Sequence, residues 1–225
     1  VESKLEIDML KRKKVAIVDY QLSNLFSVKN ACEHVGLNAE ITSDPKVVLN
    51  SDAVVLPGVG AFGDAMNNLN KYGLTSAIKE FVNSGRPFMG VCLGMQLIFD
   101  ESGEFGRHKG LGLIKGTVEK FPKNVNGHSL IIPQIGWNRI YSPKNKRGLW
   151  NRTCLGGIRE GQFMYFVHSF YVLPKESKDV LATTEYDGFQ YTSAILKNNI
   201  FAVQFHPEKS AKEGIYIYRR FSESI

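Results

Sequence analysis

The sequence predicts an α/β protein: a mixed, mainly parallel sheet with helices packed on its faces. Two unbroken apolar runs, Val15-Ala16-Ile17-Val18 and Ala53-Val54-Val55-Leu56, have the length and composition of strands covered on both sides. Between such runs apolar residues recur at helical spacing, as in Leu25, Val28, Cys32 and Val35. After Phe99 the character changes to glycine-punctuated segments rich in β-branched and aromatic residues, which read as strand after strand.

Composition agrees with that class. A chain of 225 residues with 43% hydrophobic, 11% aromatic and 22% charged residues can bury one large core, and it lies far from disordered sequences. No apolar run approaches the roughly 18 residues a membrane span needs. The three cysteines, Cys32, Cys92 and Cys154, contain no C-x-x-C pair, so neither a disulfide framework nor a zinc site is expected and a reducing cytoplasm fits best. The charged N-terminal segment lacks the apolar core of a signal peptide. Part of the formal charge of +6 comes from Lys11-Arg12-Lys13-Lys14, a solvated stretch. Residues 1–12 are set aside as a tail, disordered or not native, and 13–225 are expected to form one domain, since no repeat or linker divides them.

In chain order, the run 15–18 is a strand and the Leu25 stripe a helix that Gly36 stops; on that stripe Cys32 is core packing. Ala39-Glu40-Ile41 is a second strand, Pro45 opens a short helical turn, and 53–56 is a third strand. It leads into Pro57-Gly58-Val59-Gly60-Ala61-Phe62-Gly63, at the strand end where open α/β sheets place ligands. That loop is a candidate oxyanion cradle, although composition alone favours a plain tight turn. Helical patterns cover 64–71 and 74–83, and Gly85 closes the second. Strands are expected within 112–121, 128–132, 163–172, 179–185, 189–197 and 200–205, with Asn198-Asn199 turning the last pair because Asn tolerates positive φ. Ser210-Ala211-Lys212-Glu213 has the form of a capping box, opening a terminal helix with Ile215, Tyr218 and Phe221 on one face.

The chemistry centres on Arg86-Pro87-Phe88-Met89-Gly90-Val91-Cys92-Leu93-Gly94-Met95-Gln96, a short strand running into a cysteine and then a helix. The spacing Gly90-x-Cys92-x-Gly94 is that of a nucleophile elbow with sulfur in place of oxygen. Small residues two before and two after the nucleophile let strand and helix approach closely, which holds Cys92 in a sharp turn. There it meets a helix N-terminus, where free N–H groups and the macrodipole favour thiolate. The plain alternative is one more buried small hydrophobe.

A cysteine nucleophile needs a base, and the base needs a third group to fix its tautomer. Of the five histidines, His34, His108, His128, His168 and His206, only His206 is followed at once by a carboxylate, in His206-Pro207-Glu208. His168, followed by Ser169, is the rival base. His34 on a surface helix and His128 beside Gly127 in a loop have nothing to orient them.

Taken together, Pro57-Gly58-Val59-Gly60, the elbow through Gln96, Tyr165-Phe166-Val167-His168-Ser169 and Gln204-Phe205-His206-Pro207-Glu208-Lys209-Ser210 have the order and spacing of triad-type glutamine amidotransferases. Within that class the chain resembles the glutaminase subunits of imidazole glycerol phosphate synthases, over essentially everything from Val15 to Phe221. The resemblance implies the class I amidotransferase fold, with a flavodoxin-like sheet. It implies that Cys92 attacks the side-chain amide of L-glutamine, that His206 passes a proton to the departing ammonia, that Glu208 orients His206, and that water then releases glutamate from a thioester. The oxyanion would be met by the N–H of Leu93 and an amide among Gly58, Val59 and Gly60. Gln96 and the backbone of Ser169 and Phe170 would hold the α-amino and carboxylate groups. No metal or organic cofactor is implied.

Such subunits hand their ammonia through a dry passage to a (β/α)8-barrel partner in a heterodimer, which makes imidazole glycerol phosphate and aminoimidazole carboxamide ribotide in histidine biosynthesis. The resemblance places Asn24, Gln134, Trp137, Tyr165 and Lys209 at that interface, and implies low activity until the partner rearranges the oxyanion loop. Trp137 reads equally as an ordinary core aromatic, but beside Gly136 in a polar loop it is also what an interface anchor looks like. No nucleic acid or membrane partner is expected. Gln134 stands where histidine is common in the family, and Gln21 and Ser23 where glycine is. These departures touch the partner side, so a paralogue feeding a nucleotide-linked surface sugar stays open beside the histidine pathway. From other classes, a cysteine peptidase fits poorly with Gln96, the Gly58-Val59-Gly60 loop and Trp137; a non-catalytic binding module is the remaining alternative.

Overall fold

A computed structural model of the chain describes residues 12–22, 25–144 and 148–225; Asn24, Ser23 and the tail up to residue 11 lie outside the described residues. The elements run β1 (Lys14–Val18), α1 (Leu25–His34), β2 (Asn38–Thr42), α2 (Pro45–Asn50), β3 (Ala53–Leu56), α3 (Phe62–Lys71), α4 (Leu74–Asn83), β4 (Phe88–Val91), α5 (Leu93–Leu97) and β5 (Phe99–Ser102). They continue β6 (His108–Lys109), β7 (Ile114–Lys120), β8 (Asn124–Val125), β9 (His128–Ser129), β10 (Gln134–Ile140), β11 (Gln162–His168), β12 (Phe170–Pro174), β13 (Val180–Tyr186), β14 (Phe189–Lys197), β15 (Ile200–Val203) and α6 (Ala211–Ser222).

The large sheet has the order β2-β1-β3-β4-β15-β14-β12-β7-β5-β6, with β13 added on β14. From β2 to β15 all pairs are parallel, and the sheet then turns antiparallel through β14 and β12 to β7. Alternation along β1 separates two cores. Val15 and Ile17 join Val28, Cys32, Ile217 and Phe221 under α1 and α6; Ala16 and Val18 join Phe62, Leu69, Ile78 and Phe81 under α3 and α4. Each such large side chain taken from water contributes about 1.5–3 kcal/mol. Because both faces are covered, the central parallel strands β3, β4 and β15 are apolar throughout, and the carboxyl ends of the parallel strands are left as the place for a site.

Most boundaries follow the sequence pattern, Asn198 included, which adopts φ 53° in the last hairpin. Four expectations are corrected. The segment around Trp137 is not a polar loop but strand β10, paired antiparallel with β11; Gly136, at φ 129°, interrupts the apolar alternation that would have marked it. The expected strand 163–172 is broken at Ser169 into β11 and β12, which belong to different sheets. Helix α3 begins at Phe62 rather than 64, since the Phe62 N–H donates to Glu104 Oε2 at 2.8 Å, a cap supplied from a distant loop. The capping box does not form: Ser210 Oγ instead donates to the His206 carbonyl at 2.7 Å and accepts the Tyr165 N–H at 3.0 Å. Tertiary bonds thus tie β11 to the turn that follows β15. Among the described residues no helix is long and apolar enough to cross a membrane.

Candidate active site

Strand β4 ends at Val91, and Cys92 follows at φ 54°, ψ −112° before α5 begins. Such a backbone costs a non-glycine residue about 1–3 kcal/mol. The neighbours show why it persists. A Cβ on Gly94 would lie 1.7 Å from the Leu56 carbonyl oxygen, and one on Gly90 3.1 Å from both the Ala202 Cβ and the Gly94 oxygen. Only glycine at these positions lets β3, β4, β15 and α5 come so close, and the Cys92 N–H is pinned to the Val203 carbonyl at 2.8 Å.

Strand β15 lies parallel to β4, so the residues that leave its end arrive beside the elbow. His206 Nδ1 lies 2.8 Å from Glu208 Oε1, with the two side chains only 3% and 2% exposed. Burial on its own would lower the histidine's pKa; the Cys92 sulfur and the Glu208 carboxylate overcome it and raise the pKa from 6.5 to about 10. The other ring nitrogen, Nε2, is buried and makes no hydrogen bond to a described group. Burial pushes the thiols of Cys32 and Cys154 each up to about 12, which makes them inert core residues.

A cavity of about 300 Å³ opens beside the sulfur, and among its lining residues are Val59, Gly60, Cys92, Leu93, Gln96, Ser169 and Phe170. Those seven were expected at the site. His206 and Glu208 are not among the lining residues. Leu93 opens α5, where a backbone N–H has no acceptor one turn back. Gly58 is packed under Tyr20, whose hydroxyl would meet an added Cβ at 1.9 Å, so it shapes the loop without lining the cavity. The Val59 amide, an expected oxyanion donor, is engaged elsewhere: it donates to the Leu22 carbonyl at 2.9 Å.

Gln96 Nε2 donates to the Phe170 carbonyl at 3.1 Å and to Gln204 Oε1 at 3.0 Å. Both its hydrogens are thus engaged, which leaves its oxygen as the acceptor for a ligand. Sequence reading missed two neighbours. Gln204, fully buried, bridges Gln96 to Cys92 Sγ, 3.7 Å from its Nε2; a polar residue at the end of an apolar strand was the available signal. Glu104 is the acidic side chain on the cavity wall, and nothing in the glycine-rich stretch around it marked it out. His168, the rival base, has both ring nitrogens engaged, and burial first of all lowers its pKa to about 4. His34 and His128 are exposed.

Alternation along β10 and β11 puts Ile135, Trp137 and Phe163 on an open face, 63%, 52% and 44% exposed. Trp137 packs edge-on to Tyr165 at 6.0 Å, and Lys209 Nζ sits 6.0 Å from the Tyr165 ring. Gln134 departs from expectation: it is only 2% exposed, because it occupies the inward-facing register of the strand that presents Trp137.

The glutamine amidotransferase class-I family profile matches residues 16–223. A protein of Wolinella succinogenes described as imidazole glycerol phosphate synthase subunit HisH is 46% identical over 209 residues, 93% of this chain and 98% of the relative. Proteins of the same description from Sulfurimonas denitrificans and Aquifex aeolicus are 44% and 43% identical, over 93% and 92% of this chain and 97% and 95% of theirs. Among solved structures, a putative GMP synthase protein from Thermoplasma acidophilum superposes with a TM-score of 0.67 at 17% identity, covering 94% of this chain and 93% of that one. PurLQS of Thermotoga maritima gives 0.67 at 18%, covering 93% and 97%; these two likenesses speak for the fold. With an elbow cysteine, a buried histidine–carboxylate pair and relatives matched almost end to end, the chain belongs to the class-I glutamine amidotransferases, and within them to the imidazole glycerol phosphate synthase subunit HisH family.

Proposed function

We propose that residues 13–225 act as one cytoplasmic amidotransferase domain that hydrolyses L-glutamine to glutamate and ammonia, and that the ammonia serves a synthase making imidazole glycerol phosphate and aminoimidazole carboxamide ribotide in histidine biosynthesis. The observation that carries this reading is the strained Cys92 lining the cavity, beside a His206 held by Glu208 at 2.8 Å. Cys92 Sγ attacks the side-chain carbonyl carbon of glutamine. The oxygen takes up the electron pair against the Leu93 N–H, and His206 Nε2 passes its proton to the amide nitrogen as the C–N bond breaks and ammonia leaves. Neutral His206 then takes a proton from water, the hydroxide opens the thioester, and the returned proton restores the resting pair. Gln96 Oε1 and the Glu104 carboxylate suit the substrate's α-ammonium group. No cofactor enters these steps.

A second oxyanion donor requires the Val59 amide to leave the Leu22 carbonyl. One such donor contributes about 2.7–4 kcal/mol, or roughly 10²–10³ in kcat, so the chain on its own is slow. The apolar face of Ile135, Trp137, Phe163 and Tyr165, flanked by Lys209, is where a (β/α)8 cyclase subunit docks to form a heterodimer. Docking there also covers the path of the ammonia. The test is glutamate release by the chain alone and with that cyclase. Activation on mixing is expected; full turnover alone, unchanged by the cyclase, overturns the regulatory part, and no glutamate in either case overturns the whole reading.

A further inference from the structure

A chain of hydrogen bonds leads from the nucleophile to the docking strand. It passes from Cys92 Sγ to Gln204 Nε2 at 3.7 Å, from Gln204 Oε1 to Gln96 Nε2 at 3.0 Å, and on to the Phe170 carbonyl at 3.1 Å. That carbonyl takes a second bond, from His168 Nδ1 at 2.8 Å, while His168 Nε2 lies 3.3 Å from Tyr191 Oη and Tyr191 Oη lies 2.9 Å from Gln134 Oε1 on β10. We propose that His168 and Tyr191 are positioning residues: with Gln134 they hold the Phe170 carbonyl, and through it Gln96, in the arrangement that receives glutamine. This rests on the glutamine reading of the site.

Chemistry fixes the direction of the chain. A carbonyl can only accept, so His168 carries its proton on Nδ1 and presents a lone pair at Nε2. Tyr191 has one hydrogen, and His168 Nε2 and Gln134 Oε1 both stand ready to accept it, with the Thr184 hydroxyl a further polar neighbour. Meanwhile Gln134 Nε2 is buried without a partner among the described residues. A half-turn of the Gln134 amide satisfies the series: its NH2 donates to Tyr191 Oη, and the Tyr191 hydrogen goes to His168. Strand β10 therefore decides whether the ring that supports Phe170 is itself supported.

The surroundings make the chain consequential. His168 and Tyr191 are packed at 5.3 Å from each other, with the Phe121 ring 5.2 Å and 5.1 Å from them and the Phe166 ring 5.7 Å and 6.2 Å away. The Phe121 and Phe166 rings offer no donor or acceptor to take the place of a bond lost there, and in such surroundings each remaining bond counts for more. With both lone pairs of the Phe170 carbonyl engaged, loss of the His168 bond frees that carbonyl to shift, and Gln96 with it.

The substitution Tyr191→Phe removes one oxygen and leaves the cage filled. The full chain with its synthase partner is assayed for glutamine hydrolysis, Cys92 alkylation by iodoacetamide, and the His168 ring by nitrogen NMR. The wild-type ring is expected as the Nδ1–H tautomer. In Tyr191→Phe the Nε2 resonance shifts, KM for glutamine rises about tenfold, the effect of one hydrogen bond, and kcat and the alkylation rate stay within about threefold. An unmoved His168 resonance, an unchanged KM, or a joint fall of kcat, alkylation and thermal midpoint overturns the proposal. Failure of the glutamine reading looks different: the wild-type protein hydrolyses none while its His168 tautomer is as described.

Discussion

Replacing Glu208 with Gln tests the centre of the mechanism with little change of shape. The wild-type carboxylate accepts from His206 Nδ1 at 2.8 Å in a pocket that leaves both side chains 3% or less exposed. A bond to a charged group is worth about 1.5–3 kcal/mol against about 0.5–1.5 for a neutral pair, so the imidazolium loses roughly 1–1.5 kcal/mol. At 1.36 kcal/mol per pKa unit, that lowers the His206 pKa by about one unit and kcat by at least about tenfold. The loss approaches 10⁴ if the new amide turns its NH2 to the ring and selects the wrong tautomer. The sign of the stability effect follows from the raised pKa. His206 sits at about 10 in the fold against 6.5 free, so its contribution is fully present below pH 6.5 and is lost as pH rises through 10. Thermal midpoints of wild type and Glu208→Gln are measured from pH 6 to pH 10.5, with glutamate release at pH 7.5. The wild-type advantage is expected to be largest at pH 6 and to shrink toward pH 10.5. A variant with kcat within threefold of wild type, or an advantage that grows with pH, refutes the assignment.

Gly94→Ala puts a methyl group 1.7 Å from the Leu56 carbonyl; strand and helix must part, at a cost of about 1–3 kcal/mol or more, and calorimetry should show a lower midpoint with glutaminase activity abolished. Brief iodoacetamide treatment at pH 7 followed by peptide mass mapping should label Cys92 and leave Cys32 and Cys154 intact, since burial pushes the latter two up to about 12. Trp137→Ala should weaken the cyclase complex by about 2 kcal/mol, near 30-fold in Kd, with unchanged circular dichroism. In the wild type, docking should alter Trp137 fluorescence, because this residue is 52% exposed whereas Trp150 is 5% exposed.

What the sequence determined by itself is local. Gly90, Cys92 and Gly94 mark the elbow because steric demands of a sharp turn fall on residues two apart, and His206-Pro207-Glu208 marks the pair because a histidine and its carboxylate share one short turn. Strands β1 and β3 were legible since burial on both faces leaves an unbroken apolar run. Tertiary structure decided which polar atoms meet. Gln96 finds Gln204 at a separation of 108 residues, Phe62 finds Glu104 at 42, and Tyr191 finds Gln134 at 57. It also turned Gln134 inward, took Ser210 from its helix cap, and engaged the Val59 amide with Leu22. The physical reason is that a buried donor bonds whatever acceptor the packed elements bring within 3 Å, and that neighbour is set by how sheets and helices stack rather than by adjacent residues.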